Sequence, residues 1–185
     1  MEKEIEIRLL EIDKEKFINN ITKCGAKKID SYLQRRYVYD FNPAKENKWL
    51  RLRTNGKKTT LTIKELTDNK KIDGTLELEV ITSDFDKTNK ILEELGYFYR
   101  NYQENYRELY ILDNVEISVD SWPLIPTYVE FEAKKEEDIY KVLEKIDYDK
   151  DKLTTLDVTS IYEEIYSINV MNIKNLKFAD KADKS

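Results

Sequence analysis

Residues Trp49 to Val80 read WLRLRTNGKKTTLTIKELTDNKKIDGTLELEV. Side chains alternate between the two faces of a strand, so Leu50 and Leu52 share one face and Arg51 and Arg53 the other. Asn55-Gly56 separates this run from a second, in which Leu61 and Ile63 alternate with Thr60, Thr62 and Lys64. Asn-Gly between alternating runs is the strongest local hairpin signal. A polar linker ends at Gly74, after which Leu76, Leu78 and Val80 alternate with Glu77 and Glu79. The charged faces are single-signed, basic first and acidic next, whereas an ordinary half-buried strand carries a mixture. On a solvated sheet this segregation would be accidental. In a sheet closed on itself the charges would line the interior, and multivalent ions would be needed to hold it together.

The 185 residues are 40% hydrophobic, enough for one domain with a real core and too little for two. Charged residues make up 37%, yet the net charge is only -5, which argues against general nucleic-acid binding. Cys24 is the one cysteine, so the sequence fits a reducing compartment. There is no apolar run long enough to span a bilayer, and Met1-Glu2-Lys3-Glu4 does not suit a signal peptide. The expectation is a cytoplasmic protein with no membrane or nucleic-acid partner, monomeric or homodimeric. The absence of histidine excludes His-based triads. It also directs any metal to carboxylates, hence to a hard cation such as Mg²⁺, Mn²⁺ or Ca²⁺.

Along the chain, Glu4 to Leu9 alternates without interruption and reads as the first strand, with Glu4, Glu6 and Arg8 on one face. Asp13 caps a helix with a Phe17, Ile18, Ile21, Cys24 stripe, and Gly25 stops it. Tyr32 to Phe41 is a strand ended by Asn42-Pro43. The same order returns at a constant offset of 71 residues: Glu6 to Glu77, Asp13 to Asp84, Gly25 to Gly96, Arg36 to Arg107 and Tyr39 to Tyr110. The chain therefore reads as two copies of strand-helix-strand-strand-strand, with Val115 to Asp120 and Tyr128 to Ala133 as later strands of the second copy. Two further helices are predicted, Glu136 to Ile146 and Val158 to Ile168. One domain spans residues 1–178, and residues 179–185 read as a disordered tail.

Collected by face, the inward candidates are Glu4, Glu6, Glu77, Glu79, Glu116, Asp120, Glu130 and Glu132 against Arg8, Arg36, Arg51, Arg53, Lys64 and Arg107. Glu116 and Arg36 are undecided, since each has a neighbour that could take the inward place. Packed carboxylates raise one another's pKa unless a cation intervenes, and a divalent metal is the simplest remedy. Guanidinium forks and a lysine are standard partners of phosphate oxygens. Trp49 and Trp122 are expected to close the barrel ends or pack under loops, and Cys24 to sit in the core.

This order of motifs resembles the CYTH family, also called triphosphate tunnel metalloenzymes. The Glu-x-Glu-x-Lys signature is matched by Glu4-Ile5-Glu6-Ile7-Arg8, the Arg-x-Arg strand by Arg51-Leu52-Arg53, and the lysine strand by Lys64. The central Glu-x-Glu is matched by Glu77-Leu78-Glu79, the late arginine by Arg107, the aspartate by Asp120, and the final Glu-x-Glu by Glu130-Phe131-Glu132. The resemblance implies an α+β fold on a closed eight-stranded antiparallel barrel with a charged lumen and helices outside. It implies a triphosphate substrate bound by Arg8, Arg51, Arg53, Lys64 and Arg107. Mg²⁺ or Mn²⁺ would be held among Glu4, Glu6, Glu77, Glu79, Asp120, Glu130 and Glu132, and the expected catalytic set is Glu4, Glu6, Lys64 and Glu79. Two positions depart from the family: Arg8 replaces lysine and cannot act as a base, and Asn105 replaces a frequent basic residue. Three functions stay open on these residues: hydrolysis of tripolyphosphate or an organic triphosphate such as thiamine triphosphate, cyclisation of ATP to cyclic AMP and pyrophosphate, and non-catalytic polyphosphate binding. The poverty of nucleoside-specific features favours hydrolysis.

Overall fold

The Asn55-Gly56 turn forms as predicted. In the computed structural model, which describes residues 1–179, it joins β4 (Lys48–Thr54) to β5 (Thr59–Leu66). Arg51 lies opposite Thr62 and Arg53 opposite Thr60, with Leu50 and Leu52 on the other face. Gly56 takes φ +85°, a conformation open to glycine at no steric cost, and Asn55 Oδ1 accepts from the Lys58 backbone N–H at 2.7 Å. The predicted tail falls, from residue 180 on, outside the described residues.

The remaining strands are β1 (Glu2–Glu4), β2 (Glu6–Leu9), β3 (Lys27–Asp40), β6 (Thr75–Thr82), β7 (Tyr99–Leu112), β8 (Val115–Ser121), β9 (Tyr128–Glu132), β10 (Leu153–Thr154) and β11 (Asn175–Leu176). Ten of them run edge to edge in the order β1-β6-β5-β4-β3-β7-β8-β9-β2-β10, each pair antiparallel, and β11 adds in parallel to β7. The fold is α+β, with this sheet curled into an open half-barrel, and the expected closed eight-stranded barrel does not form. The reason lies at Ile5, where the single first strand expected from Glu4 to Leu9 breaks in two. Glu2–Glu4 pairs with the start of β6, and Glu6–Leu9 pairs with β9. The other edge of β2 takes β10 instead of β6, and among the described residues β6 has no neighbour on that side beyond Glu77.

The two-copy reading is visible in the register. β3 and β7 pair in the middle of the sheet, with Arg36 opposite Gln103 and Tyr32 opposite Arg107. Gln34 lies opposite Asn105, its own counterpart at the 71-residue offset, so a local two-fold axis passes between them. β6, which opens the second copy, lies beside β5 of the first; β2, which opens the first, lies beside β9 of the second. The helices follow suit. α1 (Lys14–Lys23) and α2 (Phe85–Glu94) are each capped by an aspartate side chain: Asp13 accepts from the Lys16 backbone N–H and Asp84 from that of Lys87.

Helices on the outer faces bury the apolar sides of the strands. α1 and α3 (Glu136–Lys145) cover β8 and β9 through Phe17, Ile21, Ile117, Phe131, Ile139 and Leu143. α2 covers β4 through Leu52, Phe85 and Leu92. The helix predicted from Val158 to Ile168 is instead one α-turn, Val158–Ser160, that widens to a π-helix, Ile161–Ile165. Its Ile161 and Tyr162 pack with Trp122 and Tyr128 at one end of the half-barrel, the packing role expected for Trp122. Among the described residues no helix is long and apolar enough to cross a membrane.

Candidate active site

The concave face of the sheet encloses a cavity of about 630 Å³. Charge is ordered across it by strand position. The four central strands β5, β4, β3 and β7 carry Lys64, Arg51, Arg53, Arg36 and Arg107 into the cavity. β6 on one flank supplies Glu77 and Glu79. β8, β9 and β2 on the other supply Glu116, Glu130, Glu132 and Glu6, with Arg8 beside them. β1 adds Glu4. The undecided pair is thereby resolved inward: Arg36 and Glu116 both face the cavity, while Arg35 lies over the Phe85 ring outside, 5.2 Å from its centroid.

Ion pairs bind the two signs together. Arg8 Nη2 donates to Glu6 Oε1 and Glu130 Oε2, both at 2.7 Å, and its Nη1 donates to the Leu156 carbonyl at 2.9 Å. Lys64 Nζ sits 2.8 Å from Glu4 and 2.6 Å from Glu77. Arg51 donates to Glu77 at 3.2 Å, and Arg53 stands 3.6 Å from Glu79, which also accepts from Thr62 Oγ1 at 2.9 Å. Arg107 grips Asp120 with two bonds of 2.8 and 2.6 Å and reaches Glu130 at 3.2 Å. Asp120 is fully buried behind that guanidinium and does not line the cavity, unlike every other residue singled out for metal or phosphate.

Among the described residues Arg36, Glu132 and Glu116 stand outside this pairing. Arg36 is buried with neutral partners only, donating to Gln34 and Asn105 and lying 4.5 Å over the Trp122 ring. Burial, together with Arg51, Arg53 and Arg107, lowers its pKa to about 9. Asn105 in turn donates to Asp120 at 2.9 Å, so this departure from the family's basic residue serves here as a link between Arg36 and Asp120. On the acidic side Glu132 has no cationic partner among the described residues. Burial and the neighbouring Glu4, Glu130 and Glu116 push its carboxyl up to about 8. Burial also raises Glu4, to about 7, against the pull of Lys64. Glu77 goes the other way: burial alone would raise it, but Arg51 and Lys64 hold it at about 2.

Sequence reading missed Lys58, which lines the cavity and stands 3.6 Å from Glu79. The signal was present, because Lys58 shares the inward phase of Thr60, Thr62 and Lys64, but it lies in the turn before the strand.

The donor chemistry fits a hard divalent cation: oxygen ligands only, with the Glu132 and Glu4 carboxyls held toward the neutral form by burial and like-charged neighbours, which a cation would reverse. Among the described residues no three such side chains are already arranged to hold one ion. Arg8 draws Glu6 and Glu130 to itself, and Lys64 draws Glu4 and Glu77.

Comparison with known proteins bears on this arrangement. The CYTH domain family matches the chain over residues 2–161. No curated protein matches it. Among solved structures, a conserved hypothetical protein from Pyrococcus furiosus is similar at 22% identity and TM-score 0.71, covering 84% of this chain and 97% of its own. A Vibrio parahaemolyticus protein described as a candidate adenylate cyclase reaches TM-score 0.70 at 15% identity, covering 90% of this chain and 98% of its own. A Hippeastrum protein described as having a dominant triphosphatase activity reaches 0.57 at 15%, covering 89% and 96%.

Proposed function

Because the chain belongs to the CYTH family, we propose that it is a metal-dependent hydrolase of a triphosphate, inorganic or organic. The observation that carries this reading is the charge order of the cavity. Five cations on consecutive strands form one wall, and one of them, Arg36, has no carboxylate paired with it among the described residues. A linear polyanion fills such a wall by charge-assisted hydrogen bonds that a single phosphate could not satisfy. The dominant triphosphatase activity described for the Hippeastrum protein agrees with it.

The ion pairs suggest how binding proceeds. Arg51, Arg53, Lys64 and Arg107 hold the phosphate oxygens, and the carboxylates they release, Glu77 and Glu79 foremost, are freed to turn elsewhere. Glu4, Glu6, Glu130 and Glu132 would hold the metal. That ion, Mg²⁺ or Mn²⁺, supplies charge compensation for the transferring phosphoryl group and lowers the pKa of an attacking water. Lys64, between Glu4 and Glu77, is a point charge at the junction of the acidic and basic sides. Substrate and metal would thus take the places of partners in the resident pairs, and each would favour the other's binding.

The test is to incubate the pure protein with Mg²⁺ or Mn²⁺ and, separately, tripolyphosphate, thiamine triphosphate and ATP, and to resolve the products by chromatography. Orthophosphate release from a triphosphate is expected. Cyclic AMP and pyrophosphate from ATP, or tight binding with no turnover of any of the three, would overturn the assignment.

A further inference from the structure

The outer flank of the half-barrel carries a feature the cavity does not explain. β1 covers β6 only at Thr75, Leu76 and Glu77, so among the described residues Leu78 to Thr82 (LEVIT) presents a free backbone edge. The same stretch is the most exposed apolar strand segment of the fold: Leu78 is 53% exposed, Val80 54% and Ile81 71%. No lysine, proline or bulge interrupts it, although natural sheets guard their edges with such devices. The opposite end of the sheet is guarded, since β10 has only two residues.

We propose that this edge is a homodimer interface, in which β6 of one copy pairs antiparallel with β6 of a second. The sequence of the edge is complementary to itself and selects one register. Pairing centred on Val80 sets Val80 against the partner's Val80, Leu78 against the partner's Thr82 and Glu79 against the partner's Ile81. A shift that centres the pair on Glu79 would oppose two carboxylates directly, which cross-strand pairing disfavours. An edge that pairs with its own copy gives a closed, isologous contact. The stretch holds no basic residue, and its Glu79 carboxylate disfavours a nucleic acid or an acidic peptide. The join would also shield Glu79 and its neighbours Arg53 and Lys58 at the open flank of the cavity.

The test is light scattering during size exclusion between about 10 and 500 µM protein, with wild type beside Val80→Lys. Val80 lies on the outer face and takes no part in the cavity. The wild type is expected as a dimer at the upper concentrations and Val80→Lys as a monomer with an unchanged circular dichroism spectrum. Should Val80→Lys fail to fold, Val80→Cys gives an independent reading. In a Cys24→Ser background, mild oxidation should convert most of the folded protein to a disulfide-linked dimer, since the two Val80 positions face each other within disulfide reach. A wild type that stays monomeric throughout, a dimer that survives Val80→Lys, or a Val80→Cys protein that does not cross-link overturns the proposal.

Discussion

Arg36 shows what a single uncompensated charge implies. A buried guanidinium with neutral partners destabilises the ligand-free fold and is useful only when an anion arrives. Arg36→Met is therefore expected to raise the melting temperature of the free protein. It should lower kcat/KM for tripolyphosphate about 10- to 100-fold, the equivalent of losing one charged hydrogen bond of about 1.5–3 kcal/mol. Thermal melts and steady-state kinetics on one preparation check both halves. Glu132 makes the matching argument on the acidic side. Its folded carboxyl titrates near 8 and its unfolded one near the ordinary value of 4.5, so the folded state holds the extra proton across that window. Stability of the metal-free protein is thus fully present below about pH 4.5 and lost as pH rises toward 8, by up to about 1.4 kcal/mol per pH unit. Glu4, near 7, adds in the same direction. Melting curves in EDTA from pH 5 to 8 should show the decline, and Glu132→Gln should flatten most of it. A decline of equal size in the variant would refute the assignment.

Among the elements, the turn before β6 is the most constrained. A Cβ built on Gly74 would meet the Asp68 carbonyl oxygen at 1.8 Å, and both Thr67 and Asp68 donate their backbone N–H to the Gly74 carbonyl. Because this loop sets the strand that carries Glu77 and Glu79, Gly74→Ala is expected to cost about 3 kcal/mol, read as a lower urea midpoint. Alternation revealed the strands and most of the cavity residues, since a period of two leaves little freedom about which face Arg51, Lys64 or Glu130 takes. It could not reveal the break at Ile5. Glu4 to Leu9 alternates without a flaw, and the break is decided by which strands lie on either side. Arg36 was ambiguous for a local reason: Arg35 is its neighbour, and both faces of β3 carry aromatic or polar side chains. The π-turn at Ile161–Ile165 likewise follows from packing on Trp122 and Tyr128, which helical periodicity cannot foresee.

For the whole molecule, the proposed function makes the cavity one device in which a polyanion and a divalent cation would exchange with ready-made ion pairs. Tripolyphosphate should raise the melting temperature far more than orthophosphate at equal concentration, because only the longer anion spans β4, β5 and β7. Adding Mg²⁺ should enlarge the tripolyphosphate shift beyond the sum of the separate shifts, and EDTA should abolish turnover. Equal shifts for the two anions would contradict the cavity's role as a polyphosphate site.

The crossing of β2 and β6 between the halves has a consequence for how such a chain can be divided. Each half surrenders its opening strand to the other, so a nick in the loop between Thr67 and Gly74 severs a peptide bond without separating any of the interstrand ladders. The two pieces should remain locked and co-migrate until denatured.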